Sequence, residues 1–297
     1  MHAVTLVNGS HNPGLDPLDR GLAYGDGVFE TIALQHGQVQ LWQGHCQRLT
    51  KGLLRLGLAA DAAAASALVT RLTSDIQAAY RLFEAADGVL KITITRGVGG
   101  RGYVAPLVFQ CTRIVTLAPW PTGREGLAGA GVNSRLCCHP WSLNSVLAGL
   151  KHLNRLDQVM AGNEWQDPHI HEGFMLDPDA NIISGVMSNV FIEQQGRLIV
   201  PLLDQCGIAG VMAQEVRVIA EQAGINVKAG RINVTALLNA DAVFMTNSLN
   251  GIWPVVNLRP STSNPKSHSW PISDLILGLQ QSLATRLLQQ PLVSELC

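Results

Sequence analysis

The stretch Gly149-Leu150-Lys151-His152-Leu153-Asn154-Arg155-Leu156-Asp157-Gln158-Val159 sets one lysine among apolar and amide side chains. The chain has only five lysines (Lys51, Lys91, Lys151, Lys228, Lys266), and the other four lie on polar faces or in linkers. Burial strips water from an ammonium, favours the neutral amine and readies it to attack a carbonyl carbon. Lys151 is thus the candidate for Schiff-base chemistry. From its position alone the plainer alternative is a solvated side chain near a helix start.

Outward from this segment, the pattern predicts a mixed architecture. Val4–Val7 followed by Asn8-Gly9 reads as a strand entering a hairpin. Strands are expected at 28–34 and 38–42, broken at His36-Gly37, then at 89–95 and 107–117. Leu49, Leu53 and Leu56 form a helical stripe ended by Gly57, and the alanine-rich 61–86 is a second helix. Pro119, Pro121 and Gly126-Leu-Ala-Gly-Ala-Gly131 make a turn-rich break. It divides the chain into 1–119, a linker at 120–130, and 131–297.

In the second part, strands are expected near 131–137, 172–176, 181–184, 189–193, 197–200, 226–229 and 242–246. Helices are expected near 145–162, 211–223, 234–239 and 271–288, with a polar loop from Pro260 to Trp270. Strands and helices interleaved in this way make an α+β or mixed α/β fold in two halves.

Bulk properties narrow the function. The 297 residues are 47% hydrophobic and 14% charged, with a net charge of −1. That charged fraction falls well below the roughly 25% of an average globular chain, which suits a buried subunit interface. Near-neutral charge argues against nucleic acid or an anionic membrane as partner. No apolar run reaches the ~18 residues of a bilayer span, and the N-terminus lacks the pattern of a signal peptide, so a cytoplasmic protein is expected. The six cysteines (46, 111, 137, 138, 206, 297) have no Cys-x-x-Cys spacing. Adjacent Cys137, Cys138 and His139 do not readily share a metal, so no metal site is expected.

Two segments could receive an anion. Gly207-Ile208-Ala209-Gly210 opens the helix beginning Val211-Met212, where exposed N–H groups and the positive end of the dipole favour phosphate. An ordinary capped helix is the alternative. Thr246-Asn247-Ser248-Leu249-Asn250-Gly251 offers a second donor cluster, which turn chemistry explains equally well. Arg96-Gly-Val-Gly-Gly-Arg101-Gly-Tyr103 is a basic glycine loop suited to a carboxylate, against the plainer reading of a solvated hairpin.

Seven motifs in order now line up. They are Asp19-Arg20 through Gly25-Asp26-Gly27-Val28-Phe29-Glu30-Thr31, His45-x-x-Arg48-Leu49, Arg96–Tyr103, Gly149–Leu156, Ser188-Asn189-Val190-Phe191, Leu203–Val211, and Asn247-Ser248 through Pro254-Val255. This series, spanning about residues 5–257, resembles the fold-type IV pyridoxal-phosphate enzymes of the aminotransferase class IV family. Its lysine segment is more similar to the 4-amino-4-deoxychorismate lyases of folate biosynthesis than to the branched-chain aminotransferases.

The resemblance implies a small N-terminal α/β domain and a larger C-terminal pseudo-barrel domain, like D-amino-acid aminotransferase, assembled as a homodimer. It implies that Lys151 forms the Schiff base with pyridoxal 5'-phosphate and acts as general base, with Thr31 facing the cofactor. Arg48, the backbone of Gly210, Val211 and Met212, and Ser248 would hold the phosphate; Asn189 lies in the cofactor segment, and Arg101 and Tyr103 resemble substrate contacts. One departure stands out. Where the family usually has a glutamate holding a proton on the pyridine nitrogen, this chain has Ser184. A hydroxyl enforces a charged ring less than a carboxylate does, which favours elimination of pyruvate over transamination. An aminotransferase acting on D- or branched-chain amino acids is the alternative.

Overall fold

In the strand Gly27–Gln35, Val28, Ile32 and Leu34 are buried on one side with Glu30 among them, the two-residue period of a sheet with a covered face. The helices Trp42–Arg55 and Ala62–Leu82 set Leu49, Leu53, Leu72 and Ile76 into the same apolar cluster. Each fully buried Leu or Ile contributes roughly 1.5–3 kcal/mol. A core of this size tolerates a charged group only where partners are built in for it.

The computed structural model describes residues 2–11, 14–262 and 266–296; Cys297 and residues 263–265 of the expected polar loop lie outside them. The chain forms two compact units. One comprises Met1–Pro121, Leu150–Asn154 and Gln289–Cys297; the other comprises Thr122–Gly149 and Arg155–Leu288.

In the first unit a six-stranded antiparallel sheet runs Ser10–His11, Val4–Val7, Thr112–Ala118, Gly88–Thr95, Gly27–Gln35, Gln38–Val39. The second unit holds a ten-stranded mixed sheet whose path begins at Val227–Gly230 and ends at Ile232–Asn233. Only Arg231 separates these end strands along the chain. The sheet therefore curls until its edges meet, which gives the barrel-like form. Its core includes Phe174, Val190, Ile192, Val243, Met245 and Val255.

Several expectations change, among them the strand at 38–42, which is only Gln38–Val39 because a helix begins at Trp42. The helix expected over 145–162 is confined to Leu156–Gly162. Leu150–Asn154 is extended instead: the Phe29 N–H donates to the Lys151 carbonyl and the Leu153 N–H to the Gly27 carbonyl, each at 3.0 Å. Leucine spacing there imitates a helix, but a strand edge takes the backbone. The strand Gly251–Leu258, not anticipated, carries Pro254 opposite Phe244. The expected strand 107–117 is Thr112–Ala118, with Leu107 and Val108 exposed before it. The glycine-rich stretch near 126–131 contains a short helix, Leu127–Ala130.

Candidate active site

On the first unit, Glu30 points from its strand onto the helix Trp42–Arg55, whose His45 and Arg48 lie one turn apart. The Arg48 Nε donates to Glu30 Oε1 at 2.8 Å and its Nη2 donates to Oε2. His45 Nδ1 lies 2.7 Å from Glu30 Oε2. Burial alone would raise the Glu30 carboxyl, but Arg48, with help from His45, brings it down to about 2. Burial pushes His45 down against the pull of Glu30, with Arg48 and Lys151 adding to the decrease. An ionised carboxylate only accepts, so Nδ1 of the neutral ring carries the proton. His45 Nε2 is buried with no hydrogen-bond partner among the described residues.

Lys151 is half-buried, and its backbone is fixed along the edge of Gly27–Gln35. Its Nζ stands 4.2 Å above the Phe29 ring centroid. Phe29 and Thr31 alternate with Glu30, so they line the opposite face of the strand. Asn154 Nδ2 donates to the Gly25 carbonyl at 3.1 Å and ties the far end of the lysine segment to the same unit.

The loop with Arg101 and Tyr103 has its own anchor. Asp26 receives Arg20 Nε at 2.9 Å and Arg96 Nε at 2.7 Å. Burial opposes ionisation of Asp26, but the two arginines lower its pKa. Arg20 then reaches the carbonyls of Gly102 and Tyr103. Tyr103 is 88% exposed and meets Tyr24 edge-on at 5.5 Å.

On the second unit, the helix Val211–Gln222 begins at Gly210 with no side-chain cap. Its first N–H groups point out of the helix end. Gly210 is required by close approach: a Cβ there would lie 1.9 Å from Asn189 Oδ1. Asn189 Nδ2 donates to the Ile208 carbonyl at 2.8 Å, so this one side chain braces the turn before the helix. Ser248 lies in the three-residue connection between Ala242–Asn247 and Gly251–Leu258.

Ser184 is buried; it accepts from Trp141 Nε1 at 3.0 Å and donates to the Gly185 carbonyl at 2.6 Å. Its single proton is thereby committed. The Arg155 guanidinium stacks 5.5 Å from the Trp141 ring, and burial takes its pKa down to about 10.

Sequence reasoning gave no role to Glu30, His45, Trp141 or Glu172. Glu30 was visible as a carboxylate at an inward position of an alternating strand, and Glu172 as one heading the apolar run Gly173-Phe174-Met175-Leu176. Trp141 follows a cysteine and proline turn and carried no periodic signal.

A sheet that closes on itself, a helix start open to an anion and a lysine laid along a strand edge define a class of cofactor enzyme. The chain belongs to the amino-transferase class IV family, whose model matches residues 27–258. It is similar to an aminodeoxychorismate lyase of Vibrio harveyi, 31% identical over 94% of this chain and 99% of that protein. The crystal structure of 4-amino-4-deoxychorismate lyase from Pseudomonas aeruginosa superposes with a TM-score of 0.86 at 39% identity, over 95% of this chain and 99% of that one. The branched-chain amino acid aminotransferase of Escherichia coli shares the fold, with a TM-score of 0.80 at 20% identity over 97% and 95%.

Proposed function

We propose that this protein is a cytoplasmic, homodimeric pyridoxal-phosphate lyase that converts 4-amino-4-deoxychorismate to 4-aminobenzoate and pyruvate. The observation that carries the reading is Lys151, half-buried with its Nζ over Phe29 and its backbone bonded to that strand's edge. The donor set suits a phosphorylated pyridine aldehyde: an amine for the aldehyde, an arginine, an uncapped helix start and a hydroxyl turn for the phosphate. We assign Arg48, the backbone of Gly210, Val211 and Met212, and Ser248 to the phosphate. Asn189 braces the turn before that helix. Five N–H donors let Arg48 serve an anion as well as Glu30.

When bound, the cofactor supplies an electron-accepting ring conjugated to the substrate amine, which acidifies the C4–H bond. Lys151 Nζ would take the C4 proton as general base, and the C3–O bond breaks to expel the enolate of pyruvate while the ring becomes aromatic. A proton added to the enolate's methylene carbon, balancing the one taken from C4, gives pyruvate and restores the amine. Thr31, on the strand face of Phe29, borders the base. Arg101 and Tyr103 receive substrate carboxylate and fix orientation. Ser184 would stand in place of a carboxylate toward the ring nitrogen. With its proton already given to the Gly185 carbonyl it would not hold that nitrogen charged, which would favour elimination over transamination. Ser184→Glu should raise half-transamination of D- or L-amino acids; no rise removes that role from Ser184.

Leu18, Leu22, Tyr103, Val104, Leu107 and Val108 are all at least 65% exposed on the first unit, an apolar surface that suits a dimer interface. Leu107→Asp should shift the sedimenting species toward monomer. The decisive assay incubates the purified protein with 4-amino-4-deoxychorismate and follows 4-aminobenzoate and pyruvate. Both should accumulate, and Lys151→Ala should abolish them; steady 2-oxo acid formation from amino acids instead would assign an aminotransferase.

A further inference from the structure

Glu172 opens the strand Glu172–Leu176, is 1% exposed and forms no salt bridge among the described residues. Its hydrogen-bond partners are all donors. Oε1 accepts from the N–H of Gly173 at 3.0 Å and of Val186 at 2.9 Å, and Oε2 from the Met187 N–H at 3.2 Å and Ser188 Oγ at 2.7 Å. The carboxylate thus templates the bend Gly185–Ser188, which is closed by the Gly185 N–H to the Ser188 carbonyl at 2.7 Å.

Hydrogen-bond polarity then passes along a chain. Ser188 gives its one proton to Glu172, so its oxygen is left to accept, and Asn247 Nδ2 donates to it at 3.1 Å. That fixes which way the Asn247 amide faces. Its Oδ1 receives the N–H groups of Leu249 at 3.0 Å and Asn250 at 2.8 Å, the two residues after Ser248. A flipped amide would oppose donor to donor at both. Beside this turn Thr246 Oγ1 is buried with no hydrogen-bond partner among the described residues. The next residue after Ser188, Asn189, braces the Gly207–Gly210 turn. One buried carboxylate therefore stands behind both segments assigned above to the phosphate.

We infer that Glu172 is a positioning residue: through Ser188 and Asn247 it sets the Ser248 turn, and so the enzyme's preference for a phosphorylated ligand. The inference rests on the functional reading above, in which that turn meets the cofactor's phosphate. Burial favours the protonated acid and raises the pKa of Glu172, while the donors around it favour the ionised form.

The test compares binding of pyridoxal phosphate and of pyridoxal to wild type, Glu172→Gln, Ser188→Ala, Asn247→Ala and the Ser188/Asn247 double variant. The readouts are dissociation constants from ligand absorbance and tryptophan fluorescence. Removing one link should raise the constant for pyridoxal phosphate about tenfold, the scale of one hydrogen bond to a charged group. Pyridoxal affinity should be unchanged. The links act in series, so the double variant should be no worse than the worse single variant, and Ser188→Thr, which keeps the hydroxyl, should retain the preference. Should Glu172→Gln fail to fold, Ser188→Ala and Asn247→Ala carry the test, since both leave the backbone donors to Glu172 in place. A phosphate preference kept in the variants, or equal weakening of both ligands, overturns the inference while leaving the functional reading intact. Wild type with no phosphate preference overturns that reading and this inference together.

Discussion

Glu30 and Glu172 are both carboxylates sunk into apolar cores, yet their surroundings are opposite in kind. Glu30 is met by the Arg48 cation and by His45, and its pKa drops to about 2. Glu172 is met by backbone N–H groups and a serine, and its pKa rises because dipoles offset burial only in part. Full charge outweighs desolvation here; oriented amides reduce it without reversing it. Glu30 is thus one side of an ion pair, whereas Glu172 is a template around which backbone is bent.

The contrast breaks most visibly in stability. Glu30→Gln leaves the Arg48 charge without its counterion and should cost about 3–5 kcal/mol. Glu172→Gln, which keeps the shape and one oxygen, should cost only about 1–3 kcal/mol. Urea unfolding of both variants measures the two, and equal losses would erase the distinction.

Acid titration comes next. The depressed pKa of Glu30 contributes stability that is present above its ordinary value of 4.5 and is lost as pH falls toward about 2. Linkage makes that loss on the order of 3 kcal/mol. Wild type should lose it in unfolding experiments down that range, and Glu30→Gln should not. Glu172 has the reverse sign, because its pKa is raised. Its contribution is fullest below 4.5 and declines as pH rises, so the gap between wild type and Glu172→Gln should narrow upward from there.

A smaller effect probes the amide-held region alone. Gly210→Ala drives a methyl into Asn189 and should cost about 1–3 kcal/mol. Loss of the Asn189 side-chain amide protection in NMR exchange would mark the displaced bond to Ile208. The smallest expected change is Lys91→Met. This exposed ammonium stands 5.9 Å from the Phe29 ring, against 4.2 Å for Lys151, and its removal should shift stability by less than about 0.5 kcal/mol. A drop in thermal stability beyond that would mean Phe29 is held by charge from both sides.

Where periodicity ran long, the sequence was readable. The stripe of Leu49 and Leu53, the alternation through Gly27–Gln35 and the glycine turn opening Val211–Gln222 all lie where the residues placed them. Lys151 stood out by its apolar and amide surroundings but its geometry did not, because leucines at 150, 153 and 156 fit a helix until a strand edge claims the backbone. The strand Gly251–Leu258 was missed, since local pattern says nothing of an antiparallel partner such as Phe244 opposite Pro254. The Glu172 relay spans residues 172, 188 and 247, and contacts between positions so distant leave no local periodic trace.

The first unit is stitched from three separate lengths of chain, the middle one being Leu150–Asn154. Residues 122–149 of the other unit come between the first two of those lengths, so the Lys151 segment can dock on its sheet only after that stretch has been synthesised. A cut in the gene after Pro121 would part Phe29 from the Lys151 segment whose backbone and side chain it meets.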